Sequence, residues 1–114
     1  MPDLYVRIGE SAPIPFTIEE DGLPLHIGSS SNFTAVECNF LASNGEKITF
    51  SGAKIQILDD NTDPNKGKVE VLPDGTEWKL THKKYDVYFW LTDSSSKKHG
   101  VPNRRQIYVG ILLS

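Results

Sequence analysis

Cysteine is nearly absent from the chain. Cys38 stands alone, which excludes an internal disulfide framework and any zinc site built from cysteines alone. Good helix formers are also scarce, with four Ala, two Gln and one Met. No apolar run approaches the roughly 18 residues that a membrane helix needs. The opening segment, Met1-Pro2-Asp3-Leu4-Tyr5-Val6-Arg7, lacks the basic region and apolar stretch of a secretory signal. Only three Arg are present and the net charge is −3, a poor balance for nucleic-acid binding. Neither nucleic-acid binding nor membrane insertion is expected.

What is present favours strands. Nine Ile, seven Val and seven Thr suit a pleated, half-buried surface better than a helix. Nine Gly and seven Pro recur at turn-like intervals. The 114 residues fill one domain, residues 1–114, and can bury a core without disulfides or metal. Short strands with regular turn signals predict an all-β fold, an immunoglobulin-like antiparallel β-sandwich of about seven to nine strands.

Along the chain, Leu4 to Ile8 reads as a first strand and Pro13 to Glu19 as a second, with Ile14, Phe16 and Ile18 on one face. Pro13 and Pro15 cannot donate to a ladder, so this strand belongs at an edge. Glu20-Asp21-Gly22 marks a turn, and Leu23 to Ile27 continues extended. Phe33 to Leu41 is a strand with Val36, Cys38 and Phe40 inward and Ala35, Glu37 and Asn39 outward. Asn44-Gly45 is a hairpin signal. Lys47 to Phe50 and Ala53 to Leu58 follow, then a hydrophilic loop from Asp59 to Lys66. Lys68 to Leu72 precedes the turn Pro73-Asp74-Gly75-Thr76. Tyr85 to Thr92 carries Val87, Phe89 and Leu91 on one face and Tyr88 and Trp90 on the other, which places it centrally. Asp93 to Asn103 reads as a polar loop and Arg104 to Leu113 as the last strand.

Few patterns point to chemistry. Asp59, Asn61, Asp63 and Asn65 have the alternating spacing of a calcium loop, with Glu70 where such a loop places its bidentate acid. Pro64 sits where a sharp glycine turn is needed, and the flanks read as strands. An acidic solvated turn is therefore the expectation. Cys38 alternates with core residues and is expected to be buried and quiet. His26, His82 and His99 lie on separate segments. A pairing of His82 with Asp86 has no motif behind it, and His82 is expected to be a solvated turn histidine. Lys97-Lys98-His99 and Arg104-Arg105 form a short basic cluster that reads as a solvated loop. Trp78, Trp90, Tyr5, Tyr85, Tyr88 and Tyr108 are candidates either for the core or for a contact patch. Asn32-Phe33-Thr34 matches a glycosylation sequon, idle without secretion. The roles of a catalytic site cannot be filled. No enzyme activity is expected, and no catalytic, cofactor-binding or metal-ligating residue is assigned.

The order of parts resembles the immunoglobulin-like N-terminal domain of phage baseplate upper proteins and related β-sandwich proteins of tailed-phage virions. The resemblance is carried by Arg7-Ile8-Gly9-Glu10-Ser11, the Ile14 to Ile18 alternation, Glu20-Asp21-Gly22 and Leu23-Pro24-Leu25. It continues through Thr34 to Leu41, Gly67-Lys68-Val69-Glu70-Val71, Tyr85-Asp86-Val87-Tyr88-Phe89-Trp90 and Val101-Pro102-Asn103 to Leu113. The segment between residues 42 and 67 is longer than usual for that family. Members commonly continue into a helical or fibre-forming region, whereas this chain stops after its last strand, so a stand-alone virion protein is expected. The resemblance implies a structural, non-enzymatic virion component of the tail, baseplate or neck, assembled in the host cytoplasm. It would act through contacts with other virion proteins or with itself. It implies no cofactor. A capsid decoration protein is one alternative. Another is a carbohydrate-binding, host-attachment module using exposed aromatics and the Asp59 to Asn65 loop.

Overall fold

The computed structural model describes residues 4–20, 23–28, 31–60, 62, 65–101 and 107–112. Eleven strands occur among them: β1 (Leu4–Arg7), β2 (Ile14–Thr17), β3 (Glu19–Glu20), β4 (Leu23–Pro24), β5 (Phe33–Ala42), β6 (Lys47–Phe50), β7 (Ile55–Ile57), β8 (Lys68–Val71), β9 (Lys84–Asp93), β10 (Lys98–Gly100) and β11 (Ile107–Leu112). Two 3-10 turns, Gly52–Lys54 and Leu80–His82, are the helical pieces among the described residues. The strand number exceeds seven to nine because β3 and β4 have two residues each and β10 has three.

The fold is an all-β sandwich, as expected. The larger sheet runs β1-β11-β9-β5-β6, with β10 also paired to β9, and the smaller runs β2-β8-β7. β3 and β4 pair with each other. The pairs are antiparallel except β1 with β11, which is parallel. β9 lies at the centre of the larger sheet, where two large-residue faces are needed. β2 lies at the edge of the smaller one and pairs with β8 alone, as Pro13 and Pro15 require.

Strand periodicity builds the core directly, because successive side chains point to opposite faces. From β2 come Ile14 and Phe16, followed by Ile18; from β5 Val36, Cys38 and Phe40; from β9 Tyr85, Val87, Phe89 and Leu91. All are buried. Phe16 of the smaller sheet meets Phe40 and Phe89 of the larger edge to face, at centroid distances of 6.1 and 5.6 Å. Phe40 also touches Phe50 at 5.4 Å and Trp78 at 5.3 Å. Burial pushes the Cys38 thiol well above its usual range, with neighbouring Glu37 adding to the effect. The thiol therefore stays protonated, the unreactive form.

Turn chemistry also follows the sequence. At Asn44-Gly45 the Ala42 N–H donates to Glu46 O (2.7 Å), Asn44 Oδ1 accepts from Glu46 N–H (3.0 Å), and Gly45 has φ +92°. Two expectations need correction. The first turn of Ala53 to Leu58 is 3-10, and β7 begins only at Ile55. The polar stretch from Asp93 contains β10, because Asp93 Oδ1 accepts from the N–H groups of Ser95 (2.8 Å) and Lys97 (2.9 Å) and reverses the chain into a hairpin. Its polar composition reflects exposure, not an absence of pairing. The last strand is seen over Ile107–Leu112; residues 104–106 and 113 of its expected span, like the Asp21-Gly22 turn, lie outside the described residues.

Phe40→Ala removes the ring that joins both sheets, and unfolding in denaturant is expected to show a loss of about 3–5 kcal/mol. A loss below about 1 kcal/mol would mean that the core closes without it.

Candidate functional site

The outer face of the larger sheet carries exposed aromatic, apolar and charged side chains together. Because Val36, Cys38, Phe40, Val87, Phe89 and Leu91 point inward, strand alternation turns Glu37, Asn39, Leu41, Asp86, Tyr88 and Trp90 outward. Register sets them in rows: Glu37 opposite Trp90, Asn39 opposite both Tyr88 and Thr49, and Leu41 opposite both Asp86 and Lys47. Trp90 is 36% exposed and Leu41 38%, while Tyr88 is half-buried. A methyl group placed on Gly100 would sit 3.5, 3.8 and 3.9 Å from three consecutive atoms of the Trp90 six-membered ring. The near-equal distances mean that the indole lies broadside over the β10 backbone.

A polar chain runs beneath these rings. Thr49 Oγ1 donates to Asn39 Oδ1 (2.7 Å), Asn39 Nδ2 donates to Glu37 Oε2 (3.0 Å), and Lys98 Nζ lies 3.6 Å from Glu37 Oε1. Asn39 is outward-facing yet fully buried, and both ends of its amide are satisfied. Among the other aromatic candidates, Trp78 and Tyr85 are core residues, whereas Tyr5 is exposed. The side chain of Tyr108 lies outside the described residues.

Asp59 itself departs from the expected solvated turn, although Asp60 and Thr62 beside it are exposed. Asp59 is buried, and its carboxylate accepts from the N–H groups of Ile27 (2.7 Å) and Gly67 (2.9 Å) and pairs with His26 Nδ1 (3.0 Å). Both oxygens are engaged: the bonds to His26 and Ile27 tie the β7–β8 loop to the segment before β5, and the bond to Gly67 closes the loop itself. Close packing completes the tie: a Cβ on Gly28 would come 2.2 Å from Asp59 O. Neighbouring Asp60 turns back on its own loop, accepting from the Thr62 hydroxyl, Asn65 Nδ2 and Thr62 N–H, and these bonds hold its carboxyl below the usual range. Asn61, Asp63 and Pro64 lie outside the described residues. The loop hangs from the smaller sheet and Trp90 lies on the outer face of the larger one, so the structure does not join them into one site.

His82 is likewise no solvated turn residue, and its partner is not Asp86. It is 2% exposed. Nδ1 bonds the Tyr85 hydroxyl, and Nε2 lies 2.9 Å from Glu46 Oε2 across the sheet. A neutral ring with its proton on Nε2 satisfies both: it donates to Glu46 and accepts from Tyr85, an assignment made from the network. Burial pushes the Tyr85 phenol up to about 12. Ser43 N–H and Oγ both donate to the His82 carbonyl (3.2 and 2.5 Å), clamping the β8–β9 corner to the β5–β6 turn. The order carboxylate, imidazole, hydroxyl imitates a catalytic relay, but the hydroxyl end is fully buried, so no substrate reaches it. The third histidine, His99, donates to Asp93 at 2.7 Å and is exposed.

The basic cluster is divided: Lys98 pairs with Glu37 and His99 with Asp93, and Arg104 and Arg105 lie outside the described residues. Among the described residues no three His, Cys, Asp or Glu side chains gather as a metal site needs. An open depression beside β2 and β8, about 330 Å³, is lined by Pro15, Phe16, Thr17, Leu58, Lys68 and Val69. Its single ionisable group gives it no acid–base pair. Glu46 and the Glu37–Lys98 pair went unseen in the sequence, because partners 36 and 61 positions apart leave no local signal. No family model matches the chain, and no curated protein matches it.

Asp59→Ala strands two buried N–H donors and is expected to cost on the order of 3 kcal/mol, measured by denaturant unfolding. Added calcium is expected to leave the melting temperature of the wild-type chain unchanged. The second test is acid. The His82 hydrogen bond holds the Glu46 carboxyl below its ordinary value. Its contribution to stability is therefore present above about pH 4.5 and is lost as pH falls through the depressed folded value. Glu46→Gln is expected to remove that part of the acid slope in melts between about pH 6 and pH 3.

Proposed function

We propose that this protein is a structural, non-enzymatic component of a tailed-phage virion, in the tail, baseplate or neck, working through protein–protein contacts made by the outer face of the larger sheet. The observation that carries the contact reading is the exposed Trp90, with Tyr88 and Leu41 beside it, on a sheet face whose opposite side already fills the core. Trp and Tyr dominate interface hot spots because they bury large area with few rotatable bonds. The virion assignment is supported by the order of parts from Arg7 to the terminal strand and by the all-β sandwich. The histidine sites bear on the non-enzymatic part of the reading, since each imidazole is paired with a carboxylate.

The test is the double replacement Tyr88→Ser with Trp90→Ser, with Trp90→Ser alone as a milder companion. Circular dichroism is expected to show folded protein, and sedimentation with purified particles is expected to show that it no longer joins them. Retention of full particle binding by both variants would overturn the reading. So would immunogold labelling and mass spectrometry that find no copy of the chain in the particle.

A further inference from the structure

We propose that the free edge of β7 takes an extended, uncharged strand from a partner protein, which joins the smaller sheet as a fourth strand beside Ile57. The site lies on the other sheet from Trp90, so it goes beyond the outer-face contact and does not depend on it.

Hydrogen bonds fix which backbone groups face that edge. Leu72 N–H donates to Lys54 O and Leu58 N–H to Lys68 O, both at 2.9 Å, and between them Gln56 lies opposite Glu70. Antiparallel pairs alternate between bonded and non-bonded. Lys54, Gln56 and Leu58 therefore bond to β8, while the backbone groups of Ile55 and Ile57 point away from it. Ile55 N–H is taken by Gly52 O. Ile57 N–H and the carbonyls of Ile55 and Ile57 remain, with no partner among the described residues. The Ile57 side chain lies on the core side of the sheet, opposite buried Val69, yet it is 40% exposed. The core is uncovered where the ladder is unpaired.

The other strands that end a sheet are guarded. On β2, Ile18 N–H donates to Gly67 O at 2.8 Å, and the same alternation turns the backbones of Pro13 and Pro15 outward. A proline there blocks pairing without costing a ladder bond. On β6 the alternation turns Lys47 to the edge. On β1 both backbone groups of Arg7 are taken by Glu10. β10 carries Lys98, β3 is Glu19-Glu20 and β4 holds Pro24. Charges, prolines and capped ends keep strand edges from pairing. β7 turns only Ile55 and Ile57 to its free side. Lys54 belongs to the bonded set and is tied to Asp74 at 3.3 Å and Glu77 at 3.2 Å.

Chemistry and size identify the occupant. Backbone donors and acceptors at strand spacing are matched by the main chain of another extended strand. Gln56 is neutral and Lys54 is already paired, so the edge offers no charge to a partner. Exposed Ile57 fits an apolar side chain on the core side. The bonded stretch from Lys54 to Leu58 is about 17 Å long, and with a sheet layer about 10 Å deep it presents roughly 170 Å². That is far below what holds two folded copies together. The occupant is therefore a partner's flexible segment held by main-chain bonds, not a second copy, and the complex is weak.

The test uses a capped synthetic peptide, Thr-Val-Thr-Val-Thr, titrated into the isotope-labelled chain and followed by nuclear magnetic resonance. At about 5 mM it is expected to slow amide hydrogen exchange at Ile57 at least about threefold, by the mass action of weak binding. The amide signals of Gln56 and Leu58 are expected to shift with it. Ile57→Pro is expected to stay folded, because that N–H makes no ladder bond, and to lose the shifts at Gln56 and Leu58. Circular dichroism checks the fold. If Ile57→Pro is unfolded, Ile57→Lys places a charge on the edge instead, with the same loss expected. No slowing at Ile57, slowing at Thr17 or Thr49 in its place, or shifts that survive the substitution would each overturn the inference. Slowing at Ile57 that grows with protein concentration in the absence of peptide would put a second copy at the edge and overturn the partner strand.

Discussion

Phe40 is the residue on which the two sheets converge. Its ring, fully buried on β5, touches Phe16 from the smaller sheet, Phe50 from β6, Trp78 from the β8–β9 connection and Tyr85 from β9. Each contact is edge-on or tilted, the geometry that ring quadrupoles prefer. Stacked sheets lie about 10 Å apart, and rings from both sides fill that gap. The position also fixes register. A slip of one residue along β5 would turn Phe40 to solvent and Asn39 into the core. The burial of Phe40 therefore decides which residues the outer face displays.

Two polar anchors complete what the rings begin. Asp59 and His82 both lie in connections, and each brings a buried polar side chain to groups distant in the chain. Asp59 satisfies two backbone donors at Ile27 and Gly67. His82 joins Tyr85 to Glu46. Buried polar groups without partners are costly, so these residues are tolerated inside because every bond is made. Trp78 follows the same rule: its Nε1–H donates to Glu10 O at 3.0 Å. The connections are thus held in single positions, and the sheet face between them is presented on a firm base.

That firmness bears on the proposed contact. A contact face works best when its side chains are already placed, since less freedom is lost on binding. Trp90 lies over Gly100, and Glu37 is oriented by Asn39 and Lys98. Each of the three imidazoles is paired with a carboxylate: His26 with Asp59, His82 with Glu46 and His99 with Asp93.

Strand periodicity alone determined the fold class, the inward residues of β2, β5 and β9, the edge position of β2 and the central position of β9. Those features follow from a local rule, alternation of side chains, and from proline's missing donor, so they are written in consecutive residues. The burial of Asp59 and His82, the pairing of Glu37 with Lys98, the β10 hairpin and the row of Lys47, Leu41 and Asp86 were decided only by the tertiary structure. In each case the deciding partner is brought close by strand pairing: His26 to Asp59, Glu46 to His82, Glu37 to Lys98. A polar residue in a polar stretch looks solvated until a backbone donor from another strand arrives beside it. Long-range hydrogen bonds have no period, and that is why composition and spacing do not reveal them.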